Sequence, residues 1–201
     1  MKQGTAAAAL ADRKDDLYET PPEAVHALLA NFPVTEPVWE PCAGRGAISR
    51  ILLSEGHTVH AQDLCTYNNQ DPYIQTRIDF LMELAAPCRL IITNPPYKLA
   101  DQFIRHGLAM GCTFVALLRL AAIEGAGRSD IMNFCRHIYA GIERLPMMHR
   151  EGWQGTKVES NSTPFAWFVF DPAFTGVTTL SRITWRLPKD FKSESGSGMN
   201  G

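Results

Sequence analysis

The sequence predicts an α/β protein with a doubly wound, mostly parallel sheet and a C-terminal antiparallel strand pair. Apolar patterns of helical and strand spacing alternate over the first two thirds of the chain, as in parallel sheets. A glycine pair follows the first strand-like run and begins a helix. The last third changes to strand-like runs, and Phe165–Phe170 is so apolar that we expect it to be buried on both faces.

Length and composition indicate one globular domain. The 201 residues suit a single domain, which we place at residues 16–191 between flexible termini at 1–15 and 192–201. Hydrophobic residues make up 45% and charged residues 20% of the chain, as in soluble proteins. No apolar run reaches membrane-spanning length, and no signal peptide is visible.

The cysteines and the charge bear on location and partners. The five cysteines are scattered without a C-x-x-C pair, which predicts reduced thiols in a cytoplasmic protein and argues against disulfides or a zinc site. We therefore predict no metal. The net charge of −2 argues mildly against a nucleic-acid partner, although basic residues can still cluster on one face.

Helix and strand signals follow one another along the chain. Thr20 and Glu23 form a possible capping box around Pro21, which suits the first position of a helix. A short strand is expected around Trp39, and the helix after the glycine pair should end with Gly56 at its C′ position. The later elements are predicted as strands at Thr58–Ala61, near Ile78 and at Leu90–Thr93, a helix at Leu99–Met110, a strand at Thr113–Leu118, a helix at Ser129–His137, and antiparallel strands at Ile142–Met148, Phe165–Phe170 and Thr178–Leu187.

The most informative motif is Asn94-Pro95-Pro96-Tyr97, directly after the strand Leu90–Thr93. Two prolines cannot continue a strand, so an amide and a phenol are held on a stiff turn at the strand's carboxyl end, where ligands bind in open α/β sheets. The Asn94 amide oxygen and the Pro95 carbonyl are neighbouring acceptors that suit an amino group with two N–H bonds. Tyr97 offers a face for stacking a base.

Polar residues also follow the other predicted strands. Gly44 and Gly46 let a ligand approach the backbone, but the third glycine of the dinucleotide fingerprint is absent, which disfavours NAD. Asp63 lies about 20 residues further on, where an acid binds ribose hydroxyls; the alternative is a solvated carboxylate.

Two more carboxylates lie near strand ends. Asp79 could accept from an adenine amino group while Phe80 packs on the ring, or Asp79 could simply cap a turn before a core Phe80. Glu40 should be half-buried at a strand end, and a cationic ligand group or an arginine would be its partner.

Together these motifs resemble class I S-adenosylmethionine-dependent methyltransferases, which have a Rossmann-like fold. More narrowly, they resemble gamma-arrangement DNA adenine-N6 methyltransferases of the solitary type found in phages and mobile elements. Glu19-Thr20-Pro21-Pro22-Glu23 matches the family's N-terminal motif, Val38–Gly46 its glycine motif, and Asn94–Tyr97 its catalytic motif. The resemblance implies catalytic roles for Asn94, Pro95, Pro96 and Tyr97. It implies cofactor contacts for Tyr18, Thr20, Pro21, Glu40, Cys42, Ala43, Gly44, Gly46, Asp63, Leu64, Asp79 and Phe80.

The resemblance implies methyl transfer from S-adenosylmethionine to the N6 amine of adenine in DNA. The alternatives are another planar amine (RNA adenine, cytosine N4 or protein glutamine) or a non-catalytic nucleic-acid-binding protein of the same fold. Cytosine C5-methyltransferases use a Pro-Cys nucleophile after the fourth strand, whereas Pro41-Cys42 lies in the glycine loop. We therefore interpret Cys42 as a small residue of the cofactor loop. Candidate substrate contacts are Arg150, Trp153 and Lys157 in a polar loop, together with Arg119 and, more weakly, Arg128.

Overall fold

The protein is described by a computed structural model over residues 19–145 and 163–186. Eight strands form one sheet in the order β3-β2-β1-β4-β5-β7-β6-β8. They are β1 (Val38–Glu40), β2 (Val59–Asp63), β3 (Gln75–Thr76), β4 (Leu90–Thr93), β5 (Thr113–Arg119), β6 (Cys135–Gly141), β7 (Phe165–Phe170) and β8 (Thr179–Ile183). The helices are α1 (Pro22–Leu29), α2 (Ala47–Ser54), α3 (Ala100–Ala109) and α4 (Ser129–Met132). Short 3-10 segments lie at Phe80–Met82, Leu120–Ile123 and Ala126–Arg128.

The sheet is mixed, and it confirms the predicted fold class. Strands β1 to β5 pair in parallel, so their carboxyl ends lie along one edge of the sheet. Strand β7 runs antiparallel between β5 and β6. The strand order reverses between β1 and β4, and this switch point is where open α/β sheets bind ligands.

Helices cover both faces of the sheet and divide most of the core into two clusters. Leu28 of α1 and Leu52 of α2 pack on one face, and Phe103 of α3 packs on the other. Strand β7 contributes to both clusters, as predicted, because alternate side chains point to opposite faces. Trp167, fully buried in β7, donates its indole N–H to the Ala24 carbonyl at 2.8 Å and thereby ties the sheet to α1.

The region after β5 differs from the prediction. The predicted helix Ser129–His137 ends at Met132, and a strand begins at Cys135, earlier than the predicted strand Ile142–Met148. Buried Ile131, Cys135 and Ile138 have helical spacing, which explains the error. The spacing arises because the pairing of β6 with β7 shifts register between Cys135 and His137. Residues 146–148 lie outside the described residues.

The last strand is also oriented differently from the prediction. We expected Thr178–Leu187 to pair antiparallel, but β8 pairs in parallel with β6. Strand β7 is already paired on both sides, so β8 reaches only the outer edge of β6. Because β8 runs opposite to β7, it is necessarily parallel to β6.

The ends of α1 and α2 can be compared with the predicted Thr20 N-cap and the predicted Gly56 C′ residue. The N-cap of α1 is Pro21, with no side-chain capping bond, so the predicted Thr20 cap is wrong. Gly56 follows α2 with a φ of 86°, as predicted for a C′ residue. Within the described ranges, no helix has the length and apolar character to cross a lipid bilayer.

Candidate active site

A cleft opens at the carboxyl ends of β1, β2 and β4. Its empty space is about 860 Å³ including the open mouth. It brings together most of the predicted site residues: Thr20, Glu40, Cys42, Ala43, Gly44, Asp63, Leu64, Asp79, Phe80, Asn94, Pro95, Pro96 and Tyr97. One cleft therefore joins the glycine loop, the acidic strand ends and the proline turn.

The remaining predicted site residues lie elsewhere. Pro21 is buried at the start of α1, and Gly46 is the N-cap of α2, so neither lines the cleft. Arg119 lies outside the cleft lining, against the Tyr97 ring. Arg128 is bound to Asp101, with N–O distances of 2.9 and 3.0 Å. The predicted contacts Tyr18, Arg150, Trp153 and Lys157 lie outside the described residues.

The glycine loop requires its glycines for two reasons. Gly44 and Gly46 have φ angles of 58° and 96°, a region that L side chains rarely adopt. A Cβ on Gly46 would also collide with the Asp71 carboxylate. Asp71 in turn binds Arg50 of α2 at 2.8 Å, so the segment after β2 packs on the start of this helix.

Asp63 fastens the glycine loop to the end of β2. One carboxylate oxygen accepts from the Gly44 N–H at 2.8 Å, and the other accepts from the Cys65 N–H at 2.7 Å. Burial raises the pKa of Asp63, and these backbone N–H groups oppose that rise. Each carboxylate oxygen has a second lone pair, so Asp63 can shape the loop and still accept a ligand hydroxyl.

Glu40 is the most unusual charge-bearing group of the cleft. It ends β1 with 1% of its surface exposed and faces Ser49, whose hydroxyl and backbone N–H favour the charged form of the carboxylate. Its Oε2 atom is buried and has no hydrogen-bond partner in the part of the chain that the structure describes. Burial raises the pKa of Glu40 to about 8. A buried carboxylate oxygen of this kind suits a cationic ligand group.

Asp79 and Phe80 have the structural roles that the sequence analysis gave as the alternative, a turn cap and a core aromatic. The Asp79 carboxylate accepts from the Leu81 N–H at 3.1 Å and so caps the 3-10 turn Phe80–Met82. Phe80 is 1% exposed and packs edge-on against Trp39, with ring centroids 5.0 Å apart. Both residues still line the cleft.

The Asn94–Tyr97 turn continues β4 towards α3. The Leu99 N–H donates to the Pro96 carbonyl at 2.9 Å, which closes the turn just before the helix begins. Beside it, the Cys42 sulfur lies 2.9 Å from the Thr93 hydroxyl and 3.7 Å from the Asn94 carbonyl oxygen. Burial raises the pKa of the Cys42 thiol well above its usual value. Cys42 is therefore a neutral thiol that supports the turn, not a thiolate nucleophile.

Several lining residues were missed by the sequence analysis. Tyr67 and Cys65 follow β2 in a segment to which the sequence analysis assigned no site role. Gln70 in this segment donates to the Gly44 carbonyl at 2.7 Å, which holds the segment against the glycine loop. Arg45 and Glu19 also line the cleft and form an ion pair at 3.5 Å. Arg45 belongs to the glycine motif and Glu19 to the N-terminal motif, so their place in these motifs could have identified them as cleft residues.

The described residues contain no group of three histidine, cysteine or acidic side chains that could hold a metal ion. The cleft's acids instead have separate surroundings. Asp63 is held by the glycine loop, Asp79 by the 3-10 turn and Glu40 by Ser49. Their arrangement suits several different polar groups of one extended organic ligand.

Comparison with known proteins identifies the fold. No protein-family model matches the chain, and no curated protein sequence matches it. A putative RNA methyltransferase from Pyrococcus horikoshii superposes with a TM-score of 0.52 at 14% identity, over 79% of this chain and 88% of that chain. A TehB-like SAM-dependent methyltransferase from Corynebacterium glutamicum gives a TM-score of 0.46 at 16% identity, over 82% and 93% of the two chains. The fold is that of class I methyltransferases.

Proposed function

We propose that this protein is a methyltransferase that transfers a methyl group from S-adenosylmethionine to the N6 amine of adenine in DNA. The observation that carries the proposal is the shared cleft of the glycine loop and the Asn94–Tyr97 turn. The cofactor agrees with those of solved neighbours, including a Burkholderia thailandensis N-methyltransferase with bound S-adenosylhomocysteine.

The cleft residues fit the chemical groups of this cofactor. The partnerless Oε2 of Glu40 suits the ammonium of the methionine moiety. Asp63 would accept from the ribose hydroxyls, and Asp79 would accept from the adenine amino group beside Phe80. The glycine loop, without Cβ atoms at Gly44 and Gly46, would let the cofactor lie close to the backbone.

The cofactor supplies an electrophilic methyl group for direct transfer, and the chain's residues orient the amine. Asn94 and the Pro95 carbonyl would accept the two N–H bonds of the amine. The nitrogen becomes pyramidal and positive as its lone pair forms the new bond, so these acceptors stabilise the transition state more than the planar ground state. Tyr97 would stack on the base and fix its angle of approach. In a duplex the base has to be flipped out.

Adenine in DNA is favoured by the N-terminal motif Glu19–Glu23, which belongs to the DNA group of the resembling family. Asn94 favours adenine over cytosine N4, because the cytosine enzymes more often carry serine there. RNA adenine and protein glutamine present the same N–H geometry and remain the second candidates. The neutral Cys42 thiol argues against a covalent cytosine-C5 mechanism at that residue.

The test is nucleoside mass spectrometry with trideuteromethyl-labelled S-adenosylmethionine and unmethylated DNA. We expect labelled N6-methyladenine with the wild type and with Asn133→Ala, a surface control at the end of α4. Asn94→Ala should lose the product while it still binds S-adenosylhomocysteine in calorimetry. Full activity of Asn94→Ala would refute the mechanism. Labelled RNA or peptide glutamine, with no labelled DNA, would refute the proposed substrate.

A further inference from the structure

Arg119 is placed against the turn that holds Tyr97. It ends β5, and its guanidinium carbon lies 5.0 Å from the centroid of the Tyr97 ring, within the range of a cation–π contact. Pairing with β7 puts Arg119 opposite Phe165, whose ring centroid lies 6.1 Å from that of Tyr97. Tyr97 lines the cleft whereas Arg119 and Phe165 do not, so both side chains support the ring from outside the cleft.

Arg119 differs from the other arginines near the cleft. Arg45 is paired with Glu19, and Arg128 is paired with Asp101. Arg119 is exposed, and its guanidinium forms no hydrogen bond or ion pair with any residue of 19–145 or 163–186. With respect to those residues its five N–H donors are unoccupied, so they can bind a ligand while the guanidinium stays over the Tyr97 ring.

A second cation is the chain neighbour of Tyr97. Lys98 directly follows Tyr97 and is exposed. Two cations thus flank the stacking residue in a chain whose net charge is −2. Cations beside a stacking aromatic are the combination with which proteins hold a single strand or an extruded nucleotide. If the substrate were a peptide that carries a glutamine, its chemistry would not explain two cations beside Tyr97.

We propose that Arg119 has two roles: it positions Tyr97 from behind, and its free donors contact a backbone phosphate beside the target base. The proposal rests on the proposed function and, among its candidate substrates, favours nucleic acid over protein glutamine. The planar guanidinium can stack and donate at the same time, because its N–H bonds point outwards in the plane of the group. One side chain would then couple the position of the backbone to the angle of the stacking ring.

The binding test uses fluorescence anisotropy with a labelled DNA oligonucleotide and S-adenosylhomocysteine, over roughly 50 to 200 mM salt. The logarithm of the affinity falls as the logarithm of the salt concentration rises. Arg119→Gln should make this fall shallower by about 0.7 to 0.9, the value for one lost phosphate contact. Arg119→Lys should keep the wild-type slope. Arg89→Gln is the matched control, because Arg89 lies before β4 at the opposite edge of the sheet, where it donates to the Met110 carbonyl.

The kinetic test separates positioning from charge. Arg119→Lys retains the charge but not the flat stacking surface, so KM for DNA should stay within about twofold while kcat falls roughly threefold or more. Arg119→Gln should also raise KM. Thermal melts of each variant exclude misfolding as the cause.

Two results would overturn the proposal: an unchanged salt slope for Arg119→Gln, or equal kcat for wild type and Arg119→Lys. A wild type that binds DNA with the expected Arg119-dependent slope but transfers no methyl group would instead refute the proposed function. The binding readout needs no turnover, so the two failures are distinguishable.

Discussion

Substitution of Glu40 by glutamine should remove one buried site's contribution to the pH dependence of stability. In the folded protein burial raises the pKa of Glu40 to about 8, from an ordinary value of 4.5. The folded state therefore binds this proton more tightly than the unfolded state. The stabilising effect of the proton is complete below the ordinary value and is lost as the pH rises towards 8.

The size of the effect follows from linkage. Between these two pKa values, folding takes up about one proton at this site, which costs the folded state about 1.4 kcal/mol per pH unit as the pH rises. From pH 5 to pH 7 the wild type should lose roughly 2 to 3 kcal/mol relative to Glu40→Gln, whose amide does not titrate.

The assay is urea unfolding without cofactor at pH 5, 6, 7 and 8. The difference in unfolding free energy between Glu40→Gln and the wild type should grow steadily in favour of the variant as the pH rises. Glu124→Gln, an exposed residue after β5, is the control and should follow the wild type. Parallel curves for wild type and Glu40→Gln would refute the reasoning, since they would mean that Glu40 ionises normally.

The raised pKa of Glu40 also predicts that cofactor binding releases a proton. If the cofactor's ammonium pairs with Glu40, the carboxyl must ionise, so binding at pH 7 should release roughly 0.9 proton. Calorimetry of S-adenosylhomocysteine in two buffers with different ionisation enthalpies measures this number. Glu40→Gln should bind more weakly and release none from this site. Equal proton release by both proteins would contradict the assignment of Glu40.

Three further predictions concern the glycine loop and two residues that line the cleft. Gly46→Ala should lower stability by about 1 to 3 kcal/mol because of its positive φ and the collision with Asp71, whereas Gly127→Ala, which meets open space, should leave the melting temperature nearly unchanged. Cys42→Ala should keep methyl transfer within about tenfold in a labelled-methyl assay, because the thiol is neutral; a complete loss in a folded variant would contradict this. Phe80→Ala should cost about 3 to 5 kcal/mol in urea unfolding, and a cost below 1 kcal/mol would contradict its core role.

The sequence predicted the parts of the site that follow strands. In a parallel sheet the carboxyl ends of neighbouring strands meet at one edge, so a residue known to follow a strand can be placed without knowing its contacts. Glu40, Asp63 and Asn94 were located in this way. The roles of Asp63 and Asp79 were less accessible, because their bonds to Gly44 and Leu81 depend on loop geometry that motif spacing does not specify.

The late strands were harder to predict from sequence. A register shift in β6 gave its buried residues a helical spacing, so a local pattern pointed to the wrong element. The parallel pairing of β8 depends on which strand edges remain open, and that is a property of the whole sheet. Tyr67 was missed for a similar reason, since its segment reaches the cleft only through contacts such as that of Gln70 with the glycine loop.

The most direct test of the central claim is a crystal structure with S-adenosylhomocysteine. We predict that it lies in the cleft with its ammonium within hydrogen-bond distance of Glu40 Oε2, about 2.7 to 2.9 Å. Its sulfur should face the Asn94–Tyr97 turn, where the target amine would be held. Binding elsewhere, or with the sulfur directed away from Asn94, would contradict the claim that this cleft is a methyl-transfer site.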